Sequence, residues 1–199
     1  MTALQIVRPD GRVARLALTR GDITRFQADA IVNAANSELA GGGGVDGAIH
    51  IAAGPELMAE LRARHRGCPT GSAVITGSGR LVEHGVGHVI HAVGPIWRGG
   101  GRGEAEQLAS AYHSALVLAR EVGAVSLAIP AISCGVYGYP LDAAASIAID
   151  AVAQELTMPG PPDVVTFVLR SEAVAEAFER ALSARLDRVG EMAGGPDRK

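Results

Sequence analysis

Aromatic residues are scarce: the 199-residue chain has one Trp, three Tyr and three Phe. A surface that reads nucleic acid by stacking needs more of them. Charge of one sign is lacking too. Lys and Arg number 18 against 21 Asp and Glu, a formal net charge of −3, so no global field draws the chain onto nucleic acid or anionic lipid. The only cysteines, Cys68 and Cys134, lie far apart and make neither a disulfide framework nor a zinc-ligand spacing. His88 and His91 stand three apart on an expected strand and point to opposite faces, so no metal or cofactor is expected. No long apolar run exists either. The longest uncharged stretch, 122–141, is broken by Gly123, Pro130, Gly135, Gly138 and Pro140, so no membrane span is expected. Residues 1–15 lack the apolar core of a leader, and the expected location is the cytoplasm, with a monomer as the expected state.

Glycine is what the chain has in excess, 26 of 199 residues, roughly twice the usual share of about 7 %. There is no low complexity, so the excess points to loops where backbone must approach something closely. Hydrophobic residues reach 48 %, which excludes a disordered chain and suits one domain with one core. Residues 1–189 are expected to form that domain, and 190–199, small and polar, a disordered tail.

Periodicity predicts strands at 4–7, 13–18, 30–33, 73–76, 88–93, 125–132 and 164–169. It predicts helices at 47–53, 55–66, 104–122, 141–156 and 171–186. Pro9-Asp10-Gly11 marks a hairpin turn between the first two strands, and Pro130 is expected to end regular pairing in its strand. Alternating strands and helices indicate an α/β layered domain with a largely parallel sheet covered on both faces. Ligands in such sheets bind beyond the carboxyl ends of strands, and two glycine-rich loops fall there, at 36–47 and 133–138. Loops of this kind present backbone N–H groups to anions. Gly42, Gly44 and Gly47 spell G-x-G-x-x-G, but no acidic residue closes a second strand about 20 residues later, and neither loop carries the Lys-Ser/Thr of a P-loop. A nicotinamide dehydrogenase and a nucleoside triphosphatase both fit poorly.

Asn33-Ala34-Ala35-Asn36, followed by Gly41-Gly42-Gly43-Gly44-Val45-Asp46-Gly47-Ala48-Ile49-His50, resembles the signature of the macrodomain family, and within it the MacroD-like ADP-ribosyl hydrolases. Gly21-Asp22-Ile23-Thr24 is similar to the family's adenine-side turn. Val89-Ile90-His91-Ala92-Val93-Gly94-Pro95 with Trp97 is similar to its central strand and following loop. Ile132-Ser133-Cys134-Gly135-Val136-Tyr137-Gly138-Tyr139-Pro140 looks like its second phosphate loop. The resemblance covers nearly the whole chain. It implies a three-layer α/β/α fold around a mixed, largely parallel sheet, with ADP-ribose in a crest cleft. It also implies removal of mono-ADP-ribose from Glu or Asp side chains of proteins, or deacetylation of O-acetyl-ADP-ribose. A non-catalytic ADP-ribose reader is the alternative.

Carried onto this chain, the resemblance gives each residue a role. Asp22, with Ile23, would receive the adenine amine; a carboxylate accepts and cannot donate, so it selects an amino group over a carbonyl. Asp22 could equally be a turn cap. Asn36 would hold the distal ribose, and Asn33 would brace the loop backbone. Gly42, Gly43, Gly44 and Val45 on one side, and Ser133, Cys134, Gly135 and Val136 on the other, would clamp the diphosphate. Tyr137 would cover the distal ribose. Asp46 is the expected catalytic residue, orienting a water or a ribose hydroxyl, and its place before a helix also suits an N-cap. His50, one turn later, is either a second acid/base group or a packed histidine, with packing favoured. Two departures stand out: 77–87 lacks an aromatic after the Thr-Gly turn, and Arg170 occupies the place of an aromatic that stacks on adenine. A guanidinium can stack as well. The Arg-Gly-rich run 98–103 reads as a mobile loop beside the cleft.

Overall fold

Seven strands form one sheet, in the spatial order 3–7, 13–20, 164–169, 126–129, 30–34, 88–92 and 73–77, in a computed structural model that describes residues 3–193. β1 (Ala3–Val7) and β2 (Val13–Arg20) form the expected hairpin. β2, β7 (Val164–Leu169), β6 (Ser126–Ile129), β3 (Ala30–Ala34) and β5 (His88–Ala92) run parallel. β4 (Ala73–Gly77) closes the far edge antiparallel to β5. The sheet is therefore mixed, with a parallel centre and an antiparallel strand at each edge. β6 stops at Ile129, just before Pro130, because proline has no N–H to give the ladder.

The central strands alternate their side chains between two apolar layers, as period-two geometry requires. Ala30 and Val32, Ile90, Leu127 and Ile129, Val165 and Phe167 face a core shared with α3 (Glu104–Glu121), α4 (Leu141–Glu155) and α5 (Glu172–Ala193). Ile31, Val89, Ala128 and Val168 face the other way, against α1 (Gly44–Ala53) and α2 (Pro55–Arg64). This is the expected three-layer α/β/α arrangement. α5 continues to Ala193, seven residues past the expected end and into the segment read as a tail; residues 194–199 of that tail lie outside the described residues.

Two local expectations need correction. α1 begins at Gly44 rather than at residue 47, with Gly43 as its cap, so Asp46 sits inside the first turn and caps nothing. The run 98–103 is tied down rather than mobile. The buried Glu104 carboxylate accepts backbone N–H bonds from Arg98, Gly100 and Arg102 at 3.1, 3.3 and 2.6 Å.

Candidate functional site

The carboxyl ends of the parallel strands open into a cavity of about 780 Å³, within the usual range of ligand pockets, roughly 300–1,000 Å³. Its wall is assembled from the segments that leave β2, β3, β5, β6 and β7. It holds Asp22, Ile23, Asn36, Gly42, Gly43, Gly44, Val45, Asp46, Ser133, Cys134, Gly135, Val136, Tyr137 and Arg170. The two glycine loops thus face one crevice from opposite sides. Of the residues given a role at the site, His50 and Asn33 are off this wall.

At one end, Asp22 caps a 3-10 turn, Ile23–Arg25, accepting from the Thr24 N–H at 3.0 Å and the Thr24 hydroxyl at 2.7 Å. The hydroxyl bond is the main cause that holds its carboxyl below the usual range. Both bonds use Oδ1, so Asp22 is a cap and still has a second oxygen to offer a ligand. Arg170 stands exposed at the end of β7, and its positive charge also favours the ionised Asp22.

Gly44 and Gly47 both shape the path of the first glycine loop. Gly44 has φ +63, a conformation that favours glycine. At Gly47 a Cβ would meet the Gly42 carbonyl oxygen at 2.6 Å, so only glycine lets the loop fold back on its helix. Asn36 stabilises the same loop: its Nδ2 donates to the Gly41 carbonyl at 2.8 Å, and its Oδ1 accepts from Ala40 N–H at 3.2 Å. An amide has two N–H groups and two lone pairs, so one of each is left for a ligand in the cleft.

The second loop carries strain and an unused donor. Ser133 has φ +66, uncommon for a residue with a side chain. Its buried hydroxyl has no partner among the described residues. A buried polar group without a bond is rare enough to point to a ligand or water, and this one lines the cleft. Val136 is 98 % exposed, an apolar rim with no protein neighbour over it. Tyr137 is half-buried; burial first, and the Asp46 charge second, raise its phenol above the ordinary value. Burial pushes the Cys134 thiol up to about 12, so it carries no thiolate at neutral pH and is no nucleophile.

Asp46 lies at the opposite end from Asp22, buried on the first turn of α1. Its Oδ1 accepts from Asn33 Nδ2 at 2.6 Å, and His50 Nε2 stands 3.4 Å from the same oxygen. Asn33 therefore does not brace the loop backbone; that role falls to Asn36. The reason is strand alternation: Asn33 follows Ile31 onto the α1 face of β3 and points under the helix. His50 sits behind Asp46 with its side chain 14 % exposed, which fits the packed role. His91 and Thr76, which sequence reasoning did not select, complete a buried polar chain behind Asn33. The signal was an Asn and a His inside apolar strand patterns, where a buried polar group demands a partner.

A family model described as Macro domain matches residues 32–148. A protein of Citrobacter rodentium named O-acetyl-ADP-ribose deacetylase is 49 % identical over 177 residues, covering 87 % of this chain and 98 % of the relative. A macro domain-containing protein of Methanosarcina mazei is 46 % identical, covering 89 % and 92 %. Among solved structures, the Oceanobacillus iheyensis macrodomain with ADP superposes with a TM-score of 0.83 at 38 % identity, covering 94 % of this chain and 98 % of the other. A Trypanosoma brucei macrodomain in complex with ADP-ribose gives 0.75 at 40 % identity, covering 84 % and 68 %.

Proposed function

The chain belongs to the macro domain family, and from that premise we propose that it binds ADP-ribose and hydrolyses esters of its distal ribose. The substrates are O-acetyl-ADP-ribose and ADP-ribose carried on Glu or Asp side chains of proteins. The observation that carries this reading is the buried Asp46 carboxylate, held by Asn33 at 2.6 Å, in the wall of a cleft whose other parts suit a nucleoside diphosphate. Relatives named O-acetyl-ADP-ribose deacetylase support the ester chemistry.

Asp22 takes the adenine amine, and Ser133 with the backbone N–H groups of both glycine loops takes the diphosphate. Asn36 and Tyr137 hold the distal ribose. Asp46 orients a water by hydrogen bonding for attack on the ester. In the acetyl ester, water oxygen bonds to the acyl carbon and the carbon–oxygen bond to ribose breaks. The ribose oxygen takes one proton of the attacking water and leaves as the hydroxyl, and the other proton is released to solvent, giving ADP-ribose and acetate. A protein conjugate gives ADP-ribose and the free carboxylate side chain. Incubation with O-acetyl-ADP-ribose and with protein mono-ADP-ribosylated on glutamate, reading out acetate and free ADP-ribose, tests the proposal. Tight binding of ADP-ribose with no release from either substrate would replace the hydrolase by a reader.

A further inference from the structure

Behind Asp46, a line of buried polar side chains crosses three strands. Asn33 and His91 are direct neighbours in the parallel β3–β5 register, and Thr76 comes from the adjoining edge strand β4. Asn33 and His91 are fully buried and Thr76 is 1 % exposed. We propose that Asn33, His91 and Thr76 form a positioning relay that holds the Asp46 carboxylate in one orientation for ester cleavage. The proposal rests on the hydrolase reading above.

The proton positions along the relay follow from its partners. Asn33 must aim its amide nitrogen at Asp46, because the reverse orientation would set its oxygen against a carboxylate. Its two N–H groups then go to Asp46 Oδ1 at 2.6 Å and to His91 Nδ1 at 3.1 Å. Nδ1 is therefore an acceptor, and the His91 proton sits on Nε2, 3.0 Å from Thr76 Oγ1. The Thr76 hydroxyl donates onward to the Gly77 carbonyl at 2.9 Å. Burial holds the His91 pKa down to about 3, so the ring stays neutral and keeps its Nδ1 lone pair. The charged or titratable groups that face it are His50, Asp46, His65 and Glu60. His50, at 3.4 Å from Asp46, is too distant for a strong hydrogen bond, so Asn33 is the main restraint on the carboxylate. Misplacing a catalytic group by about 1 Å can cost about 10²-fold in rate.

The test uses Thr76, which touches neither cleft nor carboxylate. Thr76→Val keeps the shape and removes the hydroxyl; Thr76→Ser keeps the hydroxyl. For O-acetyl-ADP-ribose, Thr76→Val is expected to lower kcat by about tenfold or more, with KM and ADP-ribose affinity within about twofold. Thr76→Ser is expected to retain the parent kcat. A merely structural hydroxyl would lower the melting temperature and leave kcat unchanged, and that result overturns the relay. So does an equal loss in kcat and in ADP-ribose affinity, or a slow Thr76→Ser. The imidazole ¹⁵N spectrum of the parent gives a readout independent of turnover: His91 is expected with Nε2 protonated and Nδ1 free at neutral pH. The opposite tautomer overturns the relay. An inactive parent with the expected tautomer refutes the hydrolase reading while the side-chain chain itself stands.

Discussion

Asp46 has no capping bond to lose, since Gly43 caps α1, and its carboxylate faces Asn33 and the cleft. A residue that serves the transition state lowers turnover more than ground-state binding. Asp46→Ala is therefore expected to lose about 10²-fold or more in release of ADP-ribose from its esters, the usual scale for a general acid/base group. ADP-ribose affinity should stay within about tenfold, roughly 1.4 kcal/mol. Steady-state release and calorimetry on this variant check both numbers. An unchanged release rate in the folded variant would remove Asp46 from the mechanism.

The two glycine loops act as elements, each at the end of a parallel strand and each presenting backbone to the same crevice. Gly135 has open space where a Cβ would stand and an ordinary φ, so a side chain there is accepted by the fold but enters the path proposed for the diphosphate. Gly135→Glu also adds a negative charge opposite that proposed position. It is expected to keep its melting temperature in the absence of ligand and to lose at least about tenfold in ADP-ribose affinity, worth about 1.4 kcal/mol. Melting curves and calorimetry decide; normal affinity in the folded variant places the diphosphate elsewhere.

Two effects belong to the whole molecule. Ligand that binds only the native state stabilises it by about 2.7 kcal/mol at 100 Kd. At about 2–4 °C per kcal/mol for a domain of this size, saturating ADP-ribose should raise the melting temperature by roughly 5–10 °C, and ADP by less. No shift at millimolar ADP-ribose would refute binding. The second effect is pH. His91 titrates near 3 when folded and near 6.5 when unfolded, so between those values the unfolded chain binds the extra proton and stability falls as pH falls. From pH 6.5 to 5 this residue should cost on the order of 2 kcal/mol, at 1.36 kcal/mol per pH unit. Denaturant midpoints across that range should slope less in a folded His91→Gln variant than in the parent; equal slopes would show that His91 takes up its proton in the fold as readily as in the unfolded chain.

The order of strands and helices was legible along the chain, because apolar periodicity and glycine or proline breaks are local properties. The sequence also placed Asp22, Asn36, Asp46 and both glycine loops at strand ends, where a parallel sheet binds ligands. What it left open depended on register and on sheet order. β3 pairs with β5 across 58 positions of chain, and only that pairing sets Asn33 beside His91 and both beneath α1. A one-residue shift in register would turn Asn33 to the other face. The start of α1, expected at residue 47 and found at Gly44, was misplaced for a related reason. Helix propensity argues against Gly44, but Ile49 and Ala53 pack on the sheet and carry the first turn back through the glycines. That turn buries Asp46 against Asn33, and so the packing of one helix on one strand, rather than any local motif, decided which asparagine holds the carboxylate.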